Sequence, residues 1–142
     1  MVNFYEEISD NLIKFAVIIA KYNNKFVFCK HKQRETLEIP GGHRESGEQI
    51  DDTAERELRE ETGAIEFIIK PICIYSVISA ENSNSKETFG KLYFADIKSF
   101  ETELHSEIEK IILTDTLPVN WTYPHIQPVL IDEAKRRGFL EY

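Results

Sequence analysis

Hydrophobic and polar positions along this chain fall into blocks of different period. From Leu12 to Tyr22 runs LIKFAVIIAKY, mostly apolar and β-branched, which predicts a buried strand. Asn23-Asn24 reads as a turn and Lys25 to Lys30 (KFVFCK) as a second strand, so the pair should form a hairpin. Pro40-Gly41-Gly42 then breaks regular structure. From Ile50 to Thr62 the pattern turns helical, with Asp51 and Asp52 near the positive N-terminal end and Gly63 as the stop. Ile65 to Ser79 and Thr88 to Ile97 read as strands around a polar loop, 81–86, and Ile108 to Leu113 as a short strand. Ile126, Leu130 and Ala134 mark one face of a last helix that ends in Lys135-Arg136-Arg137-Gly138. The order ββ-α-ββ-β-α predicts an α+β or sandwich architecture with a central sheet. Without repeats, low-complexity tracts or linker-like shifts, residues 1–142 read as a single domain.

Composition narrows the classes. At 42% hydrophobic and 30% charged, with nine Phe, six Tyr and one Trp, the chain has ample material for a core, which excludes disorder as a whole-chain reading. No apolar run suits a membrane span, and the N-terminus lacks the basic region and cleavage site of a signal peptide, so a cytoplasmic protein is expected. Cys29 and Cys73 sit in strand-like segments without a neighbouring zinc-spaced ligand and read as buried, reduced thiols. The net charge of −8 disfavours a stable nucleic-acid partner. An acidic protein that handles a phosphorylated ligand needs a local cation, either a basic cluster or a metal ion.

One stretch stands apart: Gly42-His-Arg-Glu-Ser-Gly-Glu48, seven residues, then Arg56-Glu57-Leu58-Arg59-Glu60-Glu61-Thr62-Gly63. On a helix, Glu57, Glu60 and Glu61 fall within an arc of roughly 100°, beside the apolar Ile50, Ala54 and Leu58. Three carboxylates on a partly buried face repel one another and lose hydration. A hard divalent cation such as Mg²⁺ or Mn²⁺ removes that cost, because it prefers oxygen ligands. The competing reading is a solvated helix laced with ion pairs, for which Glu55 and Arg59 supply one well-oriented i, i+4 pair.

The segment resembles the Nudix box, G-x5-E-x7-R-E-U-x-E-E-x-G-U, where U is a bulky aliphatic. Gly42, Glu48, Arg56, Glu57, Leu58, Glu60, Glu61 and Gly63 all match, and only the last position departs, being Ala64 with Ile65 beside it. The lead-in Leu37-Glu38-Ile39-Pro40-Gly41-Gly42 is similar to that of MutT-type members. The resemblance implies a Nudix-type α/β/α sandwich with a central mixed sheet, a Mg²⁺ (or Mn²⁺) cofactor and hydrolysis of a diphosphate bond. It implies Glu57, Glu60 and Glu61 as metal ligands, with Gly42, Glu48, Arg56 and Gly63 in structural or orienting roles. Glu57 is the first candidate for the base that takes a proton from water and Glu107 the second, with Glu103 and Glu109 behind them.

Substrate selection must come from outside the box. His31, Lys32 and Arg34 form a basic cluster that reads equally well as a phosphate contact or as solvated strand-end charge. His43 follows the double glycine and could face the metal or only solvent. Trp121 and Tyr123 offer surface for stacking on a base, and Asn120 and Gln127 offer amides to read its edge. Packing of the last helix is the alternative role for these aromatics. A MutT-like nucleoside triphosphate pyrophosphohydrolase ranks first. An ADP-ribose or nucleotide-sugar diphosphatase ranks next, and a Nudix-like nucleotide sensor that does not hydrolyse its ligand is the reading from another class. The partner in each case is a small nucleotide, without a membrane, for a monomer or homodimer.

Overall fold

The computed structural model describes residues 1–78, 86–101 and 108–140, with side chains for all of these but 108 and 109. The strands are β1 (Val2–Tyr5), β2 (Ile13–Tyr22), β3 (Lys25–His31), β4 (Gly41–His43), β5 (Ala64–Ile78), β6 (Glu87–Phe100) and β7 (Ile108–Thr114), and the helices α1 (Ile50–Thr62) and α2 (Gln127–Arg136). All seven strands belong to one sheet of order β1-β5-β6-β2-β3-β7, with β4 paired on β2. β2 runs parallel to β6 and antiparallel to β3 and β4, so the sheet is mixed.

The near-continuous apolar run of β2 is explained by its central place. Ile18 belongs to a core that α1 closes through Ile50, Ala54 and Leu58, whereas Ile19 belongs to a second core that α2 closes through Leu130, Ile131 and Ala134. Successive residues of a strand point to opposite faces, so both faces of the sheet are covered and a helix lies on each. The β2–β3 hairpin turns on Asn23 and Asn24, both at positive φ (48° and 66°), as a two-residue turn matched to strand twist requires. Gly63 ends α1 in the left-handed conformation (φ 76°), its N–H donating to the Arg59 carbonyl at 2.9 Å.

Two strands depart from the reading of the sequence. Gly41–His43, placed there outside regular structure, is a strand, because Gly41 without a Cβ can lie against Ala16 and Val17 of β2. Val2–Tyr5 was not foreseen at all and forms an edge strand on β5.

Candidate active site

α1 turns Glu57 and Glu61 toward the loop that ends in β4, and both side chains are largely buried. Glu61 accepts a hydrogen bond from the Gly41 N–H through Oε1 (2.7 Å), and its Oε2 lies 3.4 Å from His31 Nε2. The same His31 nitrogen is 3.5 Å from Oε2 of Glu38, a buried carboxylate held at 2.9 Å by Arg34. Glu57 packs so tightly under Gly42 that a Cβ there would overlap its carboxylate. Glu60 is more exposed, with Oε2 3.4 Å from Arg56 Nη1.

Arg56 fans its three nitrogens over the loop. Nε and Nη2 donate to the two Glu48 oxygens (2.7 and 3.0 Å), Nη2 also to the His43 carbonyl (3.0 Å), and Nη1 to Glu57 Oε1 (2.8 Å). Glu48 accepts as well from the Thr53 hydroxyl and the Glu45 N–H. These donors, Arg56 first, hold its carboxyl down at about 2.

The two inward carboxylates are shifted the other way. Burial raises Glu57, with Arg56 opposing. Burial, with Glu57 and Glu38 adding to it, pushes Glu61 up to about 8 against the Gly41 N–H. An all-oxygen donor set whose burial makes it costly to ionise is chemically suited to a hard divalent cation. Among the described residues no three acidic, His or Cys side chains already converge around one point. Glu57 and Glu61, four residues apart on α1, are largely buried, and Glu60, directly before Glu61, is more exposed.

A cavity of about 300 Å³ opens at Gly41 and Gly42, which touch Glu61 and Glu57, and is walled by Phe15, Tyr75, Tyr123, Glu38, His43 and Gln127 among others. The rings of Phe15 and His43 meet edge-on at 5.6 Å. Gln127 is buried, and its Oε1 accepts the Ile39 N–H at 2.8 Å.

Trp121 is not among the cavity's walls. It packs edge-on against Phe28 (5.4 Å) and bridges to Leu37. The Asn120 amide donates to the Glu35 carbonyl at 3.0 Å, on the same stitched segment. Arg34 is turned onto Glu38 and Lys32 is exposed. Glu107, Glu103 and loop positions 81–85 lie outside the described residues, as does the Glu109 side chain. Glu38, Phe15 and Tyr75 were not singled out from the sequence as site residues. Phe15 and Tyr75 carry no mark there to distinguish them from core, whereas Glu38 is a charge within an apolar lead-in.

Comparison with known proteins adds a family model and three similar proteins. A family model described as NUDIX domain matches residues 12–112. The putative 8-oxo-dGTP diphosphatase YtkD of Bacillus subtilis (strain 168) is 28% identical over 138 residues, spanning 90% of this chain and 84% of that protein. The crystal structure of the Bacillus subtilis pyrophosphohydrolase BsRppH matches with a TM-score of 0.79 and 26% identity, over 99% of this chain and 93% of that one. The NUDIX domain of Shewanella oneidensis NrtR, solved with ADP ribose, shares the fold (TM-score 0.64, 14% identity, 87% of this chain and 86% of that one).

Proposed function

The chain belongs to the NUDIX family and is a hydrolase of pyrophosphate bonds, and from that premise we propose that its substrate is a nucleoside triphosphate, cleaved to the monophosphate and pyrophosphate in a Mg²⁺- or Mn²⁺-dependent reaction. The observation that carries this reading is the pairing of buried Glu57 and Glu61 with an aromatic-walled cavity of about 300 Å³ next to them. One region suits a metal-bound phosphate chain and the other a flat base. The names of the two Bacillus relatives, a diphosphatase of a nucleoside triphosphate and a pyrophosphohydrolase, fit the same substrate class.

In this reading Glu57, Glu61 and, after rotation, Glu60 hold the ion. The bound ion supplies charge neutralisation at the phosphate oxygens and lowers the pKa of water. Arg56 donates to one lone pair of Glu57 Oε1, which would leave the other for the ion and Oε2 for the proton of the attacking water. Burial makes that carboxyl a stronger base than an exposed Glu, which suits the task. The Gly41 N–H fixes one oxygen of Glu61 and leaves the other toward His31. Glu107 is the second candidate for the base.

The experiment is release of pyrophosphate and monophosphate across a nucleotide panel that includes an oxidised purine triphosphate and ADP-ribose, with and without chelator. Pyrophosphate from triphosphates, lost in chelator, is the expected result. Cleavage of ADP-ribose alone would replace this reading with the nucleotide-sugar one. Binding without turnover of any nucleotide would make the protein a sensor.

A further inference from the structure

The loop between β4 and α1 is tied to the helix by one set of contacts and to the sheet by another. On the helix side, Thr53 and Arg56 hold the Glu48 carboxylate. On the sheet side stands Arg44, the residue directly after β4. Its backbone N–H donates to the Lys14 carbonyl of β2 at 2.7 Å. Its largely buried guanidinium then reaches back across three stretches of chain. Nε donates to the Glu48 carbonyl (2.7 Å), Nη1 to the carbonyls of Asp10 (2.9 Å) and Ile13 (3.2 Å), and Nη2 to the Asp10 carboxylate (2.8 Å).

The Asp10 carboxylate is mostly exposed, so as an ion pair this contact has little weight. The three carbonyls give it its weight, because a charged donor bonds a backbone acceptor more strongly than a neutral one does. Glu48 is thereby held from both ends by two arginines. Arg44 grips its carbonyl and Arg56 its carboxylate, and Arg56 also holds Glu57 Oε1 at 2.8 Å. The contacts Arg44–Glu48–Arg56–Glu57 are continuous, and Arg44 occupies a position where the box pattern accepts any residue.

We propose that Arg44 is a positioning residue for the carboxylate centre, setting through Glu48 and Arg56 where Glu57 stands. This rests on the reading of Glu57 as metal ligand and base given above. Arginine has no acceptor atom, so Arg44 can act on the ion only through the carboxylates it places. A lysine cannot replace it, because one ammonium does not span acceptors on Glu48, Asp10 and Ile13 in a fixed plane.

The test uses the whole protein. Mn²⁺ affinity is measured without substrate by electron paramagnetic resonance. Kinetics follow the triphosphate that wild type cleaves best, at saturating Mg²⁺, and melting temperature reports folding. Arg44→Met keeps an apolar stem and removes every donor. It should weaken Mn²⁺ binding and lower kcat by about tenfold each, the low end for losing a group that orients metal ligands, with KM little changed. Arg44→Lys should fall between Arg44→Met and wild type. Because Arg44 acts through Arg56, adding Arg44→Met to Arg56→Lys should lower kcat by far less than the product of the two single effects. A role in stability alone would lower the melting temperature and leave Mn²⁺ affinity and kcat per folded molecule unchanged.

Wild-type Mn²⁺ affinity and kcat in folded Arg44→Met overturn the proposal while leaving the hydrolase reading intact. The same result in Arg44→Lys decides against it if the methionine variant does not fold, and so do losses that multiply in the double variant. If wild type binds Mn²⁺ yet cleaves no triphosphate, the proposed activity fails, whereas weakened Mn²⁺ binding in Arg44→Met still supports the positioning role.

Discussion

Arg56 and Glu48 are joined by two parallel contacts, Nε to Oε2 at 2.7 Å and Nη2 to Oε1 at 3.0 Å, while Nη1 of the same guanidinium holds Glu57 at 2.8 Å. One planar group thereby fixes the loop to the helix and aims a carboxylate of the candidate centre. The fork-on-fork geometry is something only arginine supplies.

Arg56→Lys keeps the charge and loses the fork. It should lower kcat about 10- to 100-fold, in the range typical of losing a partner that orients a metal ligand, with a smaller effect on KM. Steady-state kinetics beside a circular-dichroism spectrum check this. An unchanged kcat would mean that Glu57 needs no aiming.

Glu57→Gln and Glu61→Gln should each reduce turnover ~10²-fold or more while leaving the fold in place, because both residues lie at the cleft rather than in the apolar core. Chelator should remove wild-type activity, and added Mg²⁺ or Mn²⁺ should restore it. Full wild-type turnover in chelator would refute the metal assignment.

Gly42→Ala separates position from chemistry. The added Cβ meets the far end of a flexible side chain, the Glu57 carboxylate, so the backbone can stay while the carboxylate moves. Activity should fall on the order of 10²-fold, as displacements of about an ångström at a reacting centre do, with little change in melting temperature. Kinetics that match wild type would show that Glu57 tolerates being moved.

Much of this centre was legible in the sequence because its residues are local. Glu57 and Glu61 are related by helical period alone, Gly63 caps the same helix, and α1 runs over the predicted Ile50–Thr62. β2 and β3 were legible for the same reason, since Asn23-Asn24 fixes their pairing within a few residues. What escaped depends on contacts distant in sequence. Val2–Tyr5 is too short to carry a period, and its pairing with Ile74–Val77 is a tertiary matter. His31 meets Glu38 and Glu61 only because β3 and α1 end at the same corner of the sheet. Phe15 and Tyr75 have the signature of core residues, and only the tertiary arrangement puts them on the wall of a cavity.

Two carboxylates should give the metal-free protein opposite pH responses. Glu48, held at about 2 by Arg56, favours folding above the ordinary carboxylate range, and this contribution is lost as pH falls toward 2. Glu61, raised to about 8 by burial, favours folding while protonated, and that contribution is lost as pH rises from about 4.5 to 8. The slope from Glu61 is at most about 1.4 kcal/mol per pH unit. Denaturant titrations between pH 5 and 8 in chelator should therefore show a falling stability that Glu61→Gln flattens. Saturating Mg²⁺ should flatten it too, by compensating the buried charge. A wild-type profile that rises over this interval would contradict the burial of Glu61.

Trp121 and Tyr123 are two residues apart, yet the structure gives them different surroundings, and truncating each should fail in a different way. Trp121 packs edge-on against Phe28 and its backbone bridges to Leu37, whereas Tyr123 lines the cavity and is 39% exposed. Trp121→Ala removes a half-buried ring from the packing around α2, which should cost roughly 3 kcal/mol, the low end for aromatic truncation. Activity would then fall through loss of folded protein, with KM unchanged in the fraction that remains folded. Tyr123→Ala removes cavity wall and little core, so its melting temperature should stay near wild type. Stacking on a base contributes equally to ground and transition states, so KM should rise with kcat held, by a factor of about 5–150 for ~1–3 kcal/mol of lost stacking. Melting curves and kinetics measured together on both variants decide the matter. A raised KM in a fully folded Trp121→Ala protein would place the base against Trp121 instead of Tyr123.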